Sequence, residues 1–73
     1  MSAPDFTPGR YAEATHYGDL YIFEVIRRTA RFVTLKQLGS DTAFRTMVRT
    51  ASDGSLYAEV GRTATGPLVA RPS

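Results

Sequence analysis

Four runs of the chain read as β-strands, the first apolar on both faces and the others alternating with a period of two, and short turn-forming clusters separate them. "LYIFEVIRRT" (20–29), "RFVTLKQL" (31–38), "AFRTMVRTA" (43–51) and "LYAEVG" (56–61) are rich in β-branched and aromatic residues, which suit a pleated, half-buried surface. Thr29-Ala30, "GSDT" (39–42) and "SDGS" (52–55) divide them, and each reads as a turn by composition. Asp53-Gly54, flanked by β runs, predicts a hairpin with a type I′ turn. The fold class that follows is mostly β: a small antiparallel meander of four to five strands, curled into an SH3-like or open barrel. A flatter sheet, or a barrel of the oligonucleotide-binding type, would satisfy the same pattern.

Parity within each run predicts which side chains face inward. Tyr21, Phe23 and Val25 share one face of the first run; Leu20, Ile22 and Ile26 share the other with Glu24. Val33 and Leu35 are expected in the core. Phe44, Thr46, Val48 and Thr50 oppose Arg45, Met47 and Arg49, and Leu56, Ala58 and Val60 are expected inward with Tyr57 and Glu59 outward. "RYAEATHYG" (10–18) reads either as a further strand or as a short helix, with Gly18-Asp19 as the turn after it. Residues 1–9, with Pro4, Pro8 and Gly9, read as a flexible lead-in. Residues 10–71 form a single small β domain, in which "PLVAR" (67–71) is a short edge strand or irregular, and residues 72–73 read as a tail.

A chain of 73 residues is one domain at most, and it buries only a modest fraction of its surface. It has no cysteine and one histidine, which excludes disulfide staples, thiolate chemistry and the usual zinc sets. No cofactor is expected. Stability must come from packing or from a second chain, and an open-edged sheet of this size would pair with a copy of itself, so a homodimer is expected. The first residues carry no basic stretch followed by an apolar run, and no apolar run approaches the length of a membrane span. The expectation is a soluble cytoplasmic chain with no membrane partner.

The net charge is only +2, but it is unevenly placed. Arg27, Arg28, Arg31, Lys36, Arg45 and Arg49 stand against Asp41 alone between positions 27 and 49, a local excess of +5, while the flanks sum to −3. Such asymmetry points to an anionic partner. Eight of the nine cations are arginine, the residue favoured for planar, bidentate contacts to phosphate, although the codon usage of a GC-rich genome enriches it as well. Tyr21, Phe23, Phe32 and Tyr57 are the aromatic side chains that could stack on bases beside such a patch. The structural alternative is a solvated arginine face with Phe23 and Phe32 in the core.

The order "VIRRTARFVTL", a basic strand, "DGSLY" and finally "GPLVAR" resembles a group of very small bacterial, phage and mobile-element proteins. These share an R-T-A-(K/R)-(F/Y)-V-T segment followed by an arginine-rich strand. The resemblance covers residues 20–71. It implies no activity and no site residues, and raises a mobile-element accessory role as an expectation.

Other constellations read as structural. His16 has Glu13 and Asp19 three residues to either side but no further partner for acid–base work. Glu24 and Glu59 could form a general acid–base pair, but cross-strand pairing of Glu24 with Arg45 or Arg49 is the simpler expectation. The turn glycines lack the lysine and the helix that a phosphate-cradling loop requires. An enzyme is therefore not expected. The function read from the sequence is a small binding module for nucleic acid, acting through a basic β surface of Arg27, Arg28, Arg31, Lys36, Arg45, Arg49 and Tyr57. The alternative is a phage or mobile-element accessory protein that binds and modulates a host protein.

Overall fold

The computed structural model describes residues 4–73. Six strands follow one another: β1 (Tyr11–His16), β2 (Asp19–Arg28), β3 (Phe32–Gln37), β4 (Ala43–Thr50), β5 (Leu56–Thr63) and β6 (Gly66–Pro72). Each pairs antiparallel with the next, and β6 returns to β1, so the meander closes into a barrel. The strand count exceeds the four to five expected. "YAEATH" is a strand rather than a helix because its alternation buries Ala12 and Ala14 against the core, an advantage that local helix propensity does not offer. The carboxy-terminal stretch is a full strand. Pro72 lies opposite Ala12 and the Ser73 amide donates to the Tyr11 carbonyl, so residues 72–73 are not a tail. The edge on which the homodimer expectation rested is thus occupied by the chain's own last strand.

Parity holds for most strands. Phe23, Val25, Val33, Leu35 and Ala58 are buried, while Arg45, Met47 and Arg49 are exposed on the outer face of β4. The core is uneven in size. Ala12, Ala14, Ala58 and Ala70 line the wall made by β1, β5 and β6, whereas Phe23, Val25, Val33 and Leu35 fill the wall made by β2 and β3. Small side chains facing large ones let the two walls approach closely, and the molecule is only 17 Å across its thinnest axis. Phe23 meets Phe44 edge-to-face with ring centroids 6.0 Å apart.

Residues 4–9 are a correction to the expected flexible lead-in. Phe6 is 1% exposed and belongs to the core. The Gly9 amide donates to the Val25 carbonyl and the Val25 amide to the Arg10 carbonyl, both at 2.9 Å, so the segment is tied to β2 before β1 begins. Residues 1–3 of that lead-in lie outside the described residues.

Two irregularities shape the sheet. The β2–β3 register shifts between Val25 and Arg27, and the β5–β6 register between Glu59 and Gly61. Bulges of this kind bend a strand and increase its twist, which a closed barrel of short strands requires. β4 and β5 pair only over Val48–Ala58, Arg49–Tyr57 and Thr50–Leu56. Beyond them the Thr46 hydroxyl donates to the Glu59 carbonyl at 2.8 Å and bridges the strands as they separate.

The turns differ in detail from expectation. Tyr17 and Gly18 both have positive φ, 49° and 84°, between the paired His16 and Asp19, which is the two-residue type I′ geometry. The turn therefore lies one residue earlier than Gly18-Asp19. At Asp53-Gly54 only the glycine has positive φ, 88°. The Gly54 amide donates to the Ala51 carbonyl and the Ala51 amide to the Ser55 carbonyl. This is a three-residue loop ending in a left-handed glycine, not the expected type I′ turn.

Candidate nucleic-acid interface

The register brings part of the expected basic set together on the outer face of β2, β3 and β4. Arg27 lies opposite Thr34, and Thr34 lies opposite Arg45. The bulge is the reason. Unbroken alternation would put Arg27 on the same face as Val25, inside the barrel. The extra residue, Ile26, lets Val25 point in while both Ile26 and Arg27 face solvent. Arg27, Thr29, Phe32, Thr34 and Arg45 line a recess of about 200 Å³. The Arg45 guanidinium stacks over the Phe32 ring, 4.5 Å from its centroid, which holds the cation in place while leaving its edge free to donate. The Thr29 hydroxyl and amide bind the Phe32 backbone and fix the hairpin end.

The basic band continues around the barrel. Arg49 lies opposite Tyr57 on β5, and the Arg71 guanidinium sits 5.9 Å from the Tyr57 ring centroid. Arg71 was not among the residues singled out from the sequence, because it lies far from the 27–49 cluster in the chain. It enters only through the pairing of β6 with β5. Arg31 is exposed in the turn between β2 and β3, and its carbonyl accepts from the Val48 amide.

Two of the expected cations stand apart from this set. Arg28 falls on the inner side of the bulge, and its Nε donates to Asp5 Oδ1 at 3.0 Å with only 19% of the side chain exposed. A second donation from Arg28 goes to the Thr29 carbonyl. Lys36 lies opposite Glu24. This corrects the expected pairing of Glu24 with Arg45 or Arg49: two strand positions along β3, from Lys36 to Thr34, separate Glu24 from the row that holds Arg45. Glu59 pairs instead with Arg62, at 3.5 Å, and β5 is three strands from β2 around the ring, so Glu24 and Glu59 form no acid–base pair. Among the described residues, Arg27, Arg31, Arg45 and Arg49 have no carboxylate within ion-pairing distance.

The aromatic candidates divide by parity. Phe23 is core and Tyr21 packs against it, whereas Phe32 and Tyr57 are half-buried, each beneath an arginine. His16 is half-buried with its ring 4.4 Å from that of Tyr17. Its Nε2 is buried without a hydrogen-bond partner among the described residues, and no group of metal-ligating side chains occurs among them. Comparison with protein-family models, curated proteins and solved structures finds no match to this chain.

Proposed function

We propose that this chain is a nucleic-acid-binding module that holds the phosphate backbone on the outer face of β2, β3 and β4. The observation that carries the reading is the row Arg27–Thr34–Arg45 across three adjacent strands, bordered by Phe32 and free of carboxylates. Two guanidinium groups flanking a hydroxyl present several donors to one phosphate, and charge-assisted bonds from arginine are the strong ones. Phe32 and Tyr57 add flat surfaces beside the cations, on which bases can stack. The chemistry of such a site is binding, with no group placed to activate a nucleophile or move a proton.

The test is binding to labelled single- and double-stranded DNA and RNA across a salt series. With Arg27, Arg31, Arg45 and Arg49 each engaging a phosphate, the log–log salt slope would be roughly −4 on duplex and about −3 on single strands. Arg45→Glu reverses an exposed charge outside the core. It should weaken binding and flatten the slope by about one, with the melting temperature nearly unchanged. Absence of binding at low salt, or a slope that Arg45→Glu leaves alone, would return these arginines to a solvated face.

A further inference from the structure

We infer that the ligand of the basic face is single-stranded nucleic acid, DNA or RNA, which follows the barrel from β3 across β4 to β5 and β6 and meets Arg71 at the far end. The inference rests on the reading of this face as a phosphate-binding surface, and adds the form of nucleic acid it takes and the path the strand follows.

Two cationic rows cross the outer face and share β4. The first is Arg27–Thr34–Arg45 on β2, β3 and β4. The second is Arg49–Tyr57–Arg71 on β4, β5 and β6: Arg49 pairs with Tyr57, and the Arg71 guanidinium lies 5.9 Å from the Tyr57 ring centroid. Each row sets a hydroxyl between two guanidinium groups. Arg45 and Arg49 share one face of β4 and stand about 13 Å apart at about 3.3 Å per residue. Met47 lies between them, 42% exposed, and pairs with Phe32 on β3. Along β4 the surface is thus cationic, apolar and cationic in turn.

A duplex leaves the middle of that band without a partner, because its backbone presents phosphate and sugar while its bases are paired inside. A single strand supplies unpaired bases, which stack on aromatic rings and on guanidinium planes. Arg45 over Phe32 and Arg71 over Tyr57 are such planes. Shape favours the same ligand. The rows centre on β3 and β5, two of the six strand steps around the closed ring, so they face different directions. Duplex DNA is stiff over about 150 base pairs and meets a convex wall at one row or the other, whereas a single strand bends to reach both. The hairpin end that carries Arg27 and Arg31 is fastened to β4 by the bond from the Val48 amide to the Arg31 carbonyl at 2.8 Å. It therefore does not project as the free ribbon that a major groove admits.

Carboxylates border the second row and set its strength. Glu13 lies opposite Arg71 on β1. Arg71 Nη1 donates to the Ser55 hydroxyl at 3.3 Å, and that hydroxyl donates to Asp53 at 2.6 Å. Neither carboxylate makes an ion pair with Arg71 among the described residues, and Glu59 is engaged by Arg62 at 3.5 Å. The second row is accordingly the weaker of the two, and it takes up a strand that Arg27 and Arg45 already hold.

The test compares a labelled single strand with the duplex it forms with its complement, across a salt series, on wild type, Arg71→Gln and Arg45→Glu. DNA and RNA versions of the strand are measured side by side, and preferential binding of either supports the inference. The single strand should bind roughly tenfold more tightly than the duplex at equal salt. Arg71 is exposed, and melting checks that Arg71→Gln is folded. That variant should bind the single strand about fivefold more weakly, with a log–log slope smaller by about 0.7, and should bind the duplex as wild type does. Arg45→Glu should weaken both. A duplex bound as tightly as the single strand would overturn the inference. So would an Arg71→Gln variant that weakens both ligands alike or neither. In those cases binding that Arg45→Glu still weakens leaves the phosphate-binding reading standing, whereas absence of binding to every ligand at low salt would end both.

Discussion

Replacing Phe6 with alanine removes a ring that is 1% exposed, and truncation of a buried phenylalanine to alanine costs about 3–5 kcal/mol. A domain of 73 residues holds a total of roughly 4–11 kcal/mol at 0.05–0.15 kcal/mol per residue. The loss is therefore a large share of what keeps the barrel folded. For a domain of this size each kcal/mol moves the melting temperature by about 4–8 °C, so even the lower figure lowers it by about 12–24 °C. Thermal and urea unfolding followed by far-ultraviolet circular dichroism would measure it. Asp5→Ala is the comparison, because it removes the bridge to Arg28, in which the arginine is 19% and the aspartate 52% exposed, together with the bond that the carboxylate accepts from the Phe6 amide, contacts of about 1 kcal/mol each, but leaves the ring in place. A Phe6→Ala melting curve that overlays the wild type, or one no worse than Asp5→Ala, would refute the seating of the ring. The amino-terminal segment would then be the loose lead-in that its prolines and glycine predict.

Gly54→Val should lower stability by about 1–2 kcal/mol, because the left-handed backbone at φ 88° is costly for a β-branched residue while the space around an added Cβ is open; a melting temperature equal to wild type would remove the assigned loop. Asp53 accepts from the Ser55 hydroxyl at 2.6 Å and the Ser55 amide at 2.9 Å, and these bonds, the hydroxyl foremost, hold its carboxyl below the ordinary value of 3.8. A depressed folded-state pKa stabilises fully above the unfolded value and loses that contribution as the pH falls through the folded one. The melting difference between wild type and Asp53→Ala should accordingly be constant at neutral pH and shrink as the pH drops below the usual carboxylate range; a difference that persists unchanged through full protonation would contradict it.

The strands were legible because a period of two is a direct imprint of a sheet with one buried face. Val33, Leu35, Phe44 and Val48 fall where alternation puts them. What alternation could not convey lies in single residues. Ala12, Ala14, Ala58 and Ala70 are weak hydrophobic signals, yet they form the thin wall that lets β6 close on β1. Phe6 sits among prolines and a glycine, so its neighbours suggest a loop while its own ring belongs to the core. The Asp-Gly pair announces a hairpin but not its turn type, since one left-handed glycine serves two different loops. For the candidate interface, the charge excess picks out residues 27–49, of which the register brings Arg27 and Arg45 into one row. It could not say that Arg28 and Lys36 face carboxylates or that Arg71 joins Tyr57, because both depend on register across strands.

The bulge at Ile26 links the fold to the proposed interface. Closing a barrel from short strands requires local bends, and an inserted residue supplies one. The same insertion reverses the facing of everything after it on β2. Arg27 moves to the outer face beside Thr34 and Arg45, and Arg28 takes the inner position that Arg27 would otherwise hold. An arginine directed inward at the barrel's end needs a counter-charge, and Asp5 provides it from the segment whose next residue, Phe6, fills the core. Curvature, the exposure of Arg27, the neutralisation of Arg28 and the seating of the amino-terminal segment are thus one arrangement. Loosening that segment would both weaken the barrel and release a further cation beside the basic face, so stability and phosphate affinity are expected to move in opposite directions when it is disturbed.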